Sequence, residues 1–184
     1  MDSIVILCGG NSSGKTSTLK GFFDVAEDED SPSTFVKREL NGKTVCAVSF
    51  SSPQERLSML KVEPKFCNFM EVQKGIKKRV SECVEKLNGK PYALLIPFTM
   101  STSTLNRKKL NVNCIIKPIK ELRQKFNVFV VYLRKTKAQN QKEKNALMEQ
   151  IEAYLIEPDT TRDDCDRSPQ LENYLKKTVI KTLS

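Results

Sequence analysis

Histidine is absent from this chain of 184 residues, and so is tryptophan. Histidine is the commonest general base near neutral pH and the commonest protein ligand of transition metals. Any chemistry must therefore depend on lysine, arginine, carboxylate and hydroxyl groups, with a hard cation such as Mg²⁺ that prefers oxygen ligands.

Paired cysteine motifs are missing as well. The six cysteines occur singly, with no C-x-x-C spacing, at positions 8, 46, 67, 83, 114 and 165. Three of them fall within apolar strand or helix patterns. We therefore expect reduced core residues rather than metal ligands or disulfide partners.

No apolar run of the sequence is long enough to cross a membrane as a helix. The longest runs, Ile4 to Leu7, Ala93 to Phe98 and Val128 to Leu133, have the length of strands, whereas a membrane-spanning helix needs about 20 residues. The N-terminus passes directly into a predicted strand, without a basic region, a long apolar core or a cleavage site. The sequence predicts a cytoplasmic protein without a membrane partner.

Positive charge is abundant and unevenly distributed. The formal net charge is +9, and residues 61–150 hold 20 basic and 7 acidic side chains. Such a region could attract a phosphorylated small substrate, a nucleic acid or an acidic protein, and its basic cluster Arg107-Lys108-Lys109 is one candidate contact. The simpler alternative is a set of solvated lysines on helix faces.

Strand and helix patterns alternate along the chain. Asn41-Gly42 lies between two strand patterns and predicts a two-residue hairpin, because both central positions of a type I′ turn need positive φ. The alternation predicts a single α/β domain over residues 1–184, with three layers, a mostly parallel sheet and an antiparallel edge hairpin strand. The predicted strands are 3–7, 35–40, 43–50, 92–98, 127–133 and a short 154–156; the predicted helices are 17–23, 66–87, 112–126, 137–154 and 171–183.

The most specific motif of the sequence is a glycine-rich loop. Gly9, Gly10, Asn11, Ser12, Ser13, Gly14, Lys15 and Thr16 read GGNSSGKT and match the pattern G-x-x-x-x-G-K-[ST]. Its glycines allow several backbone N–H groups to converge on a phosphate group. Lys15 would reach the β- and γ-phosphate oxygens, and the hydroxyl of Thr16 would bind Mg²⁺. An apolar strand precedes the loop and an amphipathic helix follows it, as such a site requires.

Residues 1–23 resemble the Walker A motif of P-loop NTPases, and the size and order of the elements resemble the kinase-like branch of that superfamily. The resemblance implies that Gly9 to Thr16 bind the phosphates of ATP with Mg²⁺, and that Ser17 helps to hold the α-phosphate. Guanine specificity is disfavoured, because no N/T-K-x-D motif is found. The implied sheet places the strands near 45–50 and 92–98 on one side of strand 3–7, and strand 128–133 on the other.

One position departs from this family pattern. The strand beside the phosphate loop usually ends in an Asp or Glu that holds the water shell of Mg²⁺, whereas here it ends in Pro97-Phe98-Thr99. Thr99 or Ser101 could bind a metal-bound water instead. Glu55, after the neighbouring strand, is the other candidate and a possible general base; its ordinary alternative is a capping acid at a helix start.

These features favour an ATP-dependent phosphotransferase with Lys15 and Glu55 as catalytic residues, acting on a small or phosphorylated acceptor. The first alternative is an NTPase switch that acts on a nucleic acid or a protein. The second is a nucleotide-binding module without turnover, which the missing acid keeps open.

Overall fold

The computed structural model describes residues 2–9, 14–25, 35–50, 69–99, 113–133, 145, 148–152, 154–156, 173 and 176–177. Strands and helices alternate within these ranges. The strands are β1 (Ser3–Gly9), β2 (Val36–Leu40), β3 (Lys43–Ala47), β4 (Tyr92–Thr99), β5 (Asn127–Leu133) and β6 (Tyr154–Ile156). The helices are α1 (Lys15–Phe22), α2 (Phe69–Leu87) and α3 (Asn113–Leu122).

The six strands form one sheet in the order β2-β3-β4-β1-β5-β6. The pairs from β3 to β6 are parallel, and only β2 runs antiparallel, against β3. The strand order and the antiparallel edge strand are those expected from the sequence. The predicted fold class, a mostly parallel α/β sheet with an antiparallel edge hairpin strand, is therefore confirmed.

Both faces of the sheet are covered by helices, which explains why its central strands are continuously apolar. On β1, Ile4, Ile6 and Cys8 point into one core cluster, to which α2 and α3 contribute. Val5 and Leu7 point to the opposite face, into a second cluster that includes residues of α1. All five side chains are fully buried. The molecule thus has the three predicted layers.

The hairpin between β2 and β3 closes through the two residues that predicted it. Asn41 has φ 48° and Gly42 has φ 73°, so both central positions are in the left-handed region. A Cβ added at Gly42 would meet no atom within 4 Å. The demand for glycine at this position therefore comes from the backbone conformation and not from a lack of space.

Gly42→Ala is expected to lower the free energy of unfolding by about 1 kcal/mol, because an L side chain is strained at this φ. Asn41→Gly is the matched control: it tolerates positive φ at the adjacent position and should change stability by only a few tenths of a kcal/mol. Urea unfolding of the three proteins measures both values. Equal stability of Gly42→Ala and the parent would contradict the prediction.

Two predicted helices end earlier than their patterns suggest. α3 includes Pro118 but ends at Leu122 instead of residue 126; the buried Ile116 and Ile119 hold the helix against the core on either side of the proline. The prediction of a helix over residues 137–154 was wrong at its C-terminal end. Residues 148–151 are helical, but Glu152 takes φ 49° and interrupts the helix before β6.

None of the helices in the described part of the chain combines the length and the apolar character that a bilayer crossing would need.

Candidate nucleotide site

The candidate site lies at the carboxyl end of β1, the strand at the centre of the sheet. Gly9, the last residue of β1, is in register with Thr99 at the end of β4 and with Leu133 at the end of β5. From β1 the chain enters α1 on one face of the sheet, whereas the helices that follow β3 and β4 pack on the other. The direction of the connections thus changes between β1 and β4, and α/β sheets commonly bind ligands at the carboxyl ends of strands where this happens.

Lys15 is buried although it is charged. The residue is only 6% exposed, and Nζ donates a hydrogen bond to the carbonyl oxygen of Gly9 at 3.2 Å. A buried ammonium group is costly unless polar atoms surround it. The first residue of α1 is thus folded back over the end of β1, and the structure brings Gly9 and Lys15 together.

The N-terminus of α1 has no side-chain cap. Gly14 occupies the N-cap position with φ 77°, and its carbonyl accepts the first hydrogen bond of the helix, from the N–H of Thr18 at 2.8 Å. The N–H groups of residues 15–17, which include the predicted ligand Ser17, precede that first helical bond. Such N–H groups, together with the helix dipole, favour an anion at this point.

Thr16 connects this helix to a second strand. Its hydroxyl donates a hydrogen bond to the carbonyl oxygen of Phe50 at 3.2 Å, just beyond the carboxyl end of β3. Since a hydroxyl has one proton and two lone pairs, this bond leaves the lone pairs of Thr16 for a cation. The bond joins residues 34 positions apart, and no sequence pattern predicted it.

The hydroxyl of Thr16 is suited to an Mg²⁺ ion that binds together with a triphosphate. Within the described ranges no group of three or more Cys, Asp or Glu side chains could hold a metal. Mg²⁺ commonly takes few protein ligands and completes its shell with waters and substrate phosphates. One hydroxyl, that of Thr16, is compatible with that mode of binding.

The end of β4 carries no carboxylate, as the sequence indicated. Pro97, Phe98 and Thr99 pair with Leu7, Cys8 and Gly9 in the parallel register. The end of β4 that lies beside the end of β1 is thus the segment that the sequence identified. Phe98 is fully buried in the core, so this edge of the site is anchored by packing.

Cys8 precedes Gly9 in β1 and is close enough to Lys15 to interact with its charge. The sequence analysis identified it only as a core residue. Burial raises the pKa of its thiol to about 12, and the nearby Lys15 ammonium acts in the opposite direction. The thiol is therefore neutral at physiological pH. Its place, one residue before Gly9 in a buried strand, was the only signal in the sequence.

The far end of α1 is held by the edge strand of the sheet. Arg38 of β2 donates a hydrogen bond to the carbonyl oxygen of Phe22 at 2.8 Å, and its guanidinium lies 6.0 Å from the centre of the Phe22 ring. The carbonyls at a helix C-terminus lack helical partners. Arg38 supplies a hydrogen-bond donor to the carbonyl of Phe22, the last residue of α1.

Comparisons with known proteins give limited information about this chain. No family model matches it, and no curated protein matches its sequence. Among solved structures, one similar chain is described as the crystal structure of a probable GTP-binding protein EngB. It shares 13% identity, with 98% of each chain covered and a TM-score of 0.40. A likeness of this level does not assign a function.

Several predicted site residues lie outside the described residues. They are the loop residues Gly10, Asn11, Ser12 and Ser13, the candidate acid Glu55, the candidate Ser101 and the basic cluster Arg107-Lys108-Lys109. Of the predicted ligands, the structure describes Gly9, Gly14, Lys15, Thr16 and Ser17, and it places all five at the carboxyl end of β1.

A separate open pocket lies at the opposite edge of the sheet. It has a volume of about 420 Å³ and is lined by Arg123, Glu152 and residues 126–129, at the start of β5. The amino end of β5 lies a full strand length from Gly9 and Lys15, so this pocket is not part of the candidate nucleotide site.

Proposed function

We propose that this chain binds Mg-ATP at the carboxyl end of β1 and acts as a kinase-like phosphotransferase. The observation that carries the proposal is the buried Lys15, held against the carbonyl of Gly9 at the start of α1. A buried ammonium group is costly unless polar or anionic groups surround it. A bound phosphate would supply such an anionic partner beside the Gly9 carbonyl.

In the structure the Lys15 ammonium donates a hydrogen bond to the neutral carbonyl of Gly9. Hydrogen bonds between two charged groups are shorter and roughly twice as strong as neutral ones. A phosphate placed over the loop would therefore compete successfully for this ammonium group. Lys15 would exchange the Gly9 carbonyl for β- and γ-phosphate oxygens, while the N–H groups at the start of α1 bind the same anion.

Thr16 would provide the protein ligand for Mg²⁺. The ion supplies charge neutralisation for the phosphate oxygens when it is bound. The Phe50 carbonyl holds the hydroxyl proton of Thr16 and so orients its lone pairs. The Phe50 carbonyl lies just beyond the end of β3. The end of β4 carries no carboxylate that could accept the proton of Thr16 instead.

The strand order is the one that the resemblance to P-loop NTPases implied, and it supports nucleotide binding at the end of β1; the kinase-like activity is proposed from the size and order of the elements. ATP is proposed rather than GTP because the sequence lacks the N/T-K-x-D motif. The absence of an acid at the end of β4 favours a second candidate, a nucleotide-binding module with little turnover. The two candidates share the same nucleotide site and differ only in catalysis.

Calorimetric titration of the pure protein with ATP and with GTP, each with Mg²⁺, tests the nucleotide proposal. We expect ATP to bind and GTP to bind more weakly. Turnover assays with phosphorylated metabolites, with nucleic acid and without an acceptor then separate a phosphotransferase from an NTPase switch. Binding without turnover in all three assays would support the module.

Glu55→Gln is expected to keep ATP affinity while lowering turnover by roughly 100-fold or more, the usual effect of losing a general base. The amide is close in shape to the carboxylate but cannot accept the proton of an attacking hydroxyl. Steady-state kinetics and calorimetry measure the two effects. Glu85→Gln, at an exposed position of α2, is the control and should leave both unchanged. Full turnover of Glu55→Gln would assign Glu55 to helix capping.

A further inference from the structure

Two thiol groups meet on the face of the sheet that α2 covers. Cys46 lies on β3 and Cys83 on α2, 37 positions later in the sequence, and their sulfur atoms are 2.7 Å apart. Both residues are free cysteines with no exposed surface. A disulfide has a sulfur–sulfur distance of about 2.05 Å, so a small adjustment of the two side chains would bring the atoms to bonding distance.

The surroundings keep the Cys46 thiol protonated. A hydrogen bond with Cys83 is the main cause that raises the pKa of the Cys46 thiol, and burial acts in the same direction. The adjacent Tyr92 is also neutral, because burial raises the pKa of its phenol. Among the described atoms its hydroxyl has no hydrogen-bond partner. Cys46 and Tyr92 are therefore neutral groups within the core.

We propose that Cys46 and Cys83 form a dithiol that closes to an intramolecular disulfide when hydrogen peroxide reaches it. Neither cysteine belongs to the candidate nucleotide site, so the inference does not depend on the proposed function. The contact between the two sulfur atoms carries it, because a second thiol beside the first intercepts a sulfenic acid before further oxidation.

The reaction needs only hydrogen peroxide as a co-reactant. One thiol loses its proton and attacks a peroxide oxygen, so that an S–O bond forms, the O–O bond breaks, and the other oxygen leaves as water after taking a proton. The second sulfur then attacks the sulfenic sulfur; the S–S bond forms, the S–O bond breaks, and a second water leaves. Two thiols are oxidised by two electrons in total, and one peroxide is reduced to two waters.

Oxidation would change the stability of the fold rather than its architecture. The bond would join α2 to β3 and close a loop of 37 residues, which restricts the unfolded chain. Because both sulfurs are buried, the reaction is expected to be slow and limited by local opening of the core. A reductant would reverse it.

The test treats the folded full-length protein with hydrogen peroxide, removes the oxidant, alkylates free thiols in denaturant and maps the peptides by mass spectrometry. We expect one reducible cross-link, between the peptides that contain Cys46 and Cys83. Thermal unfolding of the oxidised protein should occur about 5–15 °C above that of the reduced protein. Cys8→Ala, which removes a third buried cysteine, should keep both the cross-link and the shift.

Cys46→Ala and Cys83→Ala should abolish the cross-link and the thermal shift, and the remaining thiol should be recovered as a sulfinic or sulfonic acid. If either variant fails to fold, the peptide map of the parent protein still decides. Recovery of Cys46 and Cys83 as alkylated thiols after peroxide treatment would overturn the inference. So would cross-links from either residue to Cys67, Cys114 or Cys165.

Discussion

Lys15→Ala is expected to weaken the binding of Mg-ATP by roughly 10- to 100-fold, the effect of losing hydrogen bonds to a charged group. The ammonium is the only side-chain cation that the described structure places at the start of α1 with its head at the end of β1. Without it the triphosphate would bind through backbone N–H groups and Thr16 alone. Calorimetric titration of parent and variant gives the ratio of affinities directly.

Further variants separate binding from folding. Lys15→Met keeps the length of the side chain without the charge, and since burying that charge is costly, the variant should be as stable as the parent or more stable. It should nevertheless bind ATP as weakly as Lys15→Ala. Thr16→Ser keeps a hydroxyl and should retain most of the affinity, whereas Thr16→Ala should not. Lys37→Ala, an exposed position of β2, serves as the charge control. Unchanged affinity in Lys15→Ala and Thr16→Ala would refute the nucleotide site.

Phe22→Ala is expected to lower the free energy of unfolding by roughly 3–5 kcal/mol, the range for removing a buried phenylalanine ring. Phe22 is the last residue of α1 and is fully buried in the cluster between this helix and the sheet. It also contacts the ring of Phe23 edge-on, with ring centres 5.0 Å apart. Because domains are stable by only about 5–15 kcal/mol, the variant should be close to unfolding at 37 °C.

Denaturant unfolding of parent and variant measures this loss, and Phe22→Leu is the matched control. Leucine refills much of the cavity, so its loss should be clearly smaller. The backbone carbonyl of Phe22 accepts a hydrogen bond from Arg38. Both variants keep this carbonyl and therefore the bond. A loss below 1 kcal/mol in Phe22→Ala would show that α1 contributes little to the core.

The sequence predicted those parts of the fold that local patterns determine. The runs that became β1, β4 and β5 are apolar throughout because both faces of a central parallel strand are buried. Asn41-Gly42 specified the hairpin through its backbone conformation. The GGNSSGKT motif identified Lys15 and Thr16 as candidate ligands, because loop, lysine and hydroxyl must be adjacent in sequence to surround one phosphate chain; their ligand roles stay predictions.

Contacts between distant segments could not be predicted in this way. The bond from Thr16 to Phe50 and the approach of Cys46 to Cys83 join positions 34 and 37 residues apart. Both depend on which strands become neighbours and on the rotation of each helix about its axis. Likewise, the end of α3 at Leu122 follows from packing and not from its apolar pattern, which continues to Phe126.

The hairpin of β2 and the chain after β3 hold α1 at two points. Thr16, in its first turn, bonds to the Phe50 carbonyl, and Phe22, at its last residue, accepts from Arg38. These two hydrogen bonds fix the direction of the helix, and its first N–H groups lie near the carboxyl end of β1. A ligand that binds there does not have to spend its own binding energy on orienting the helix.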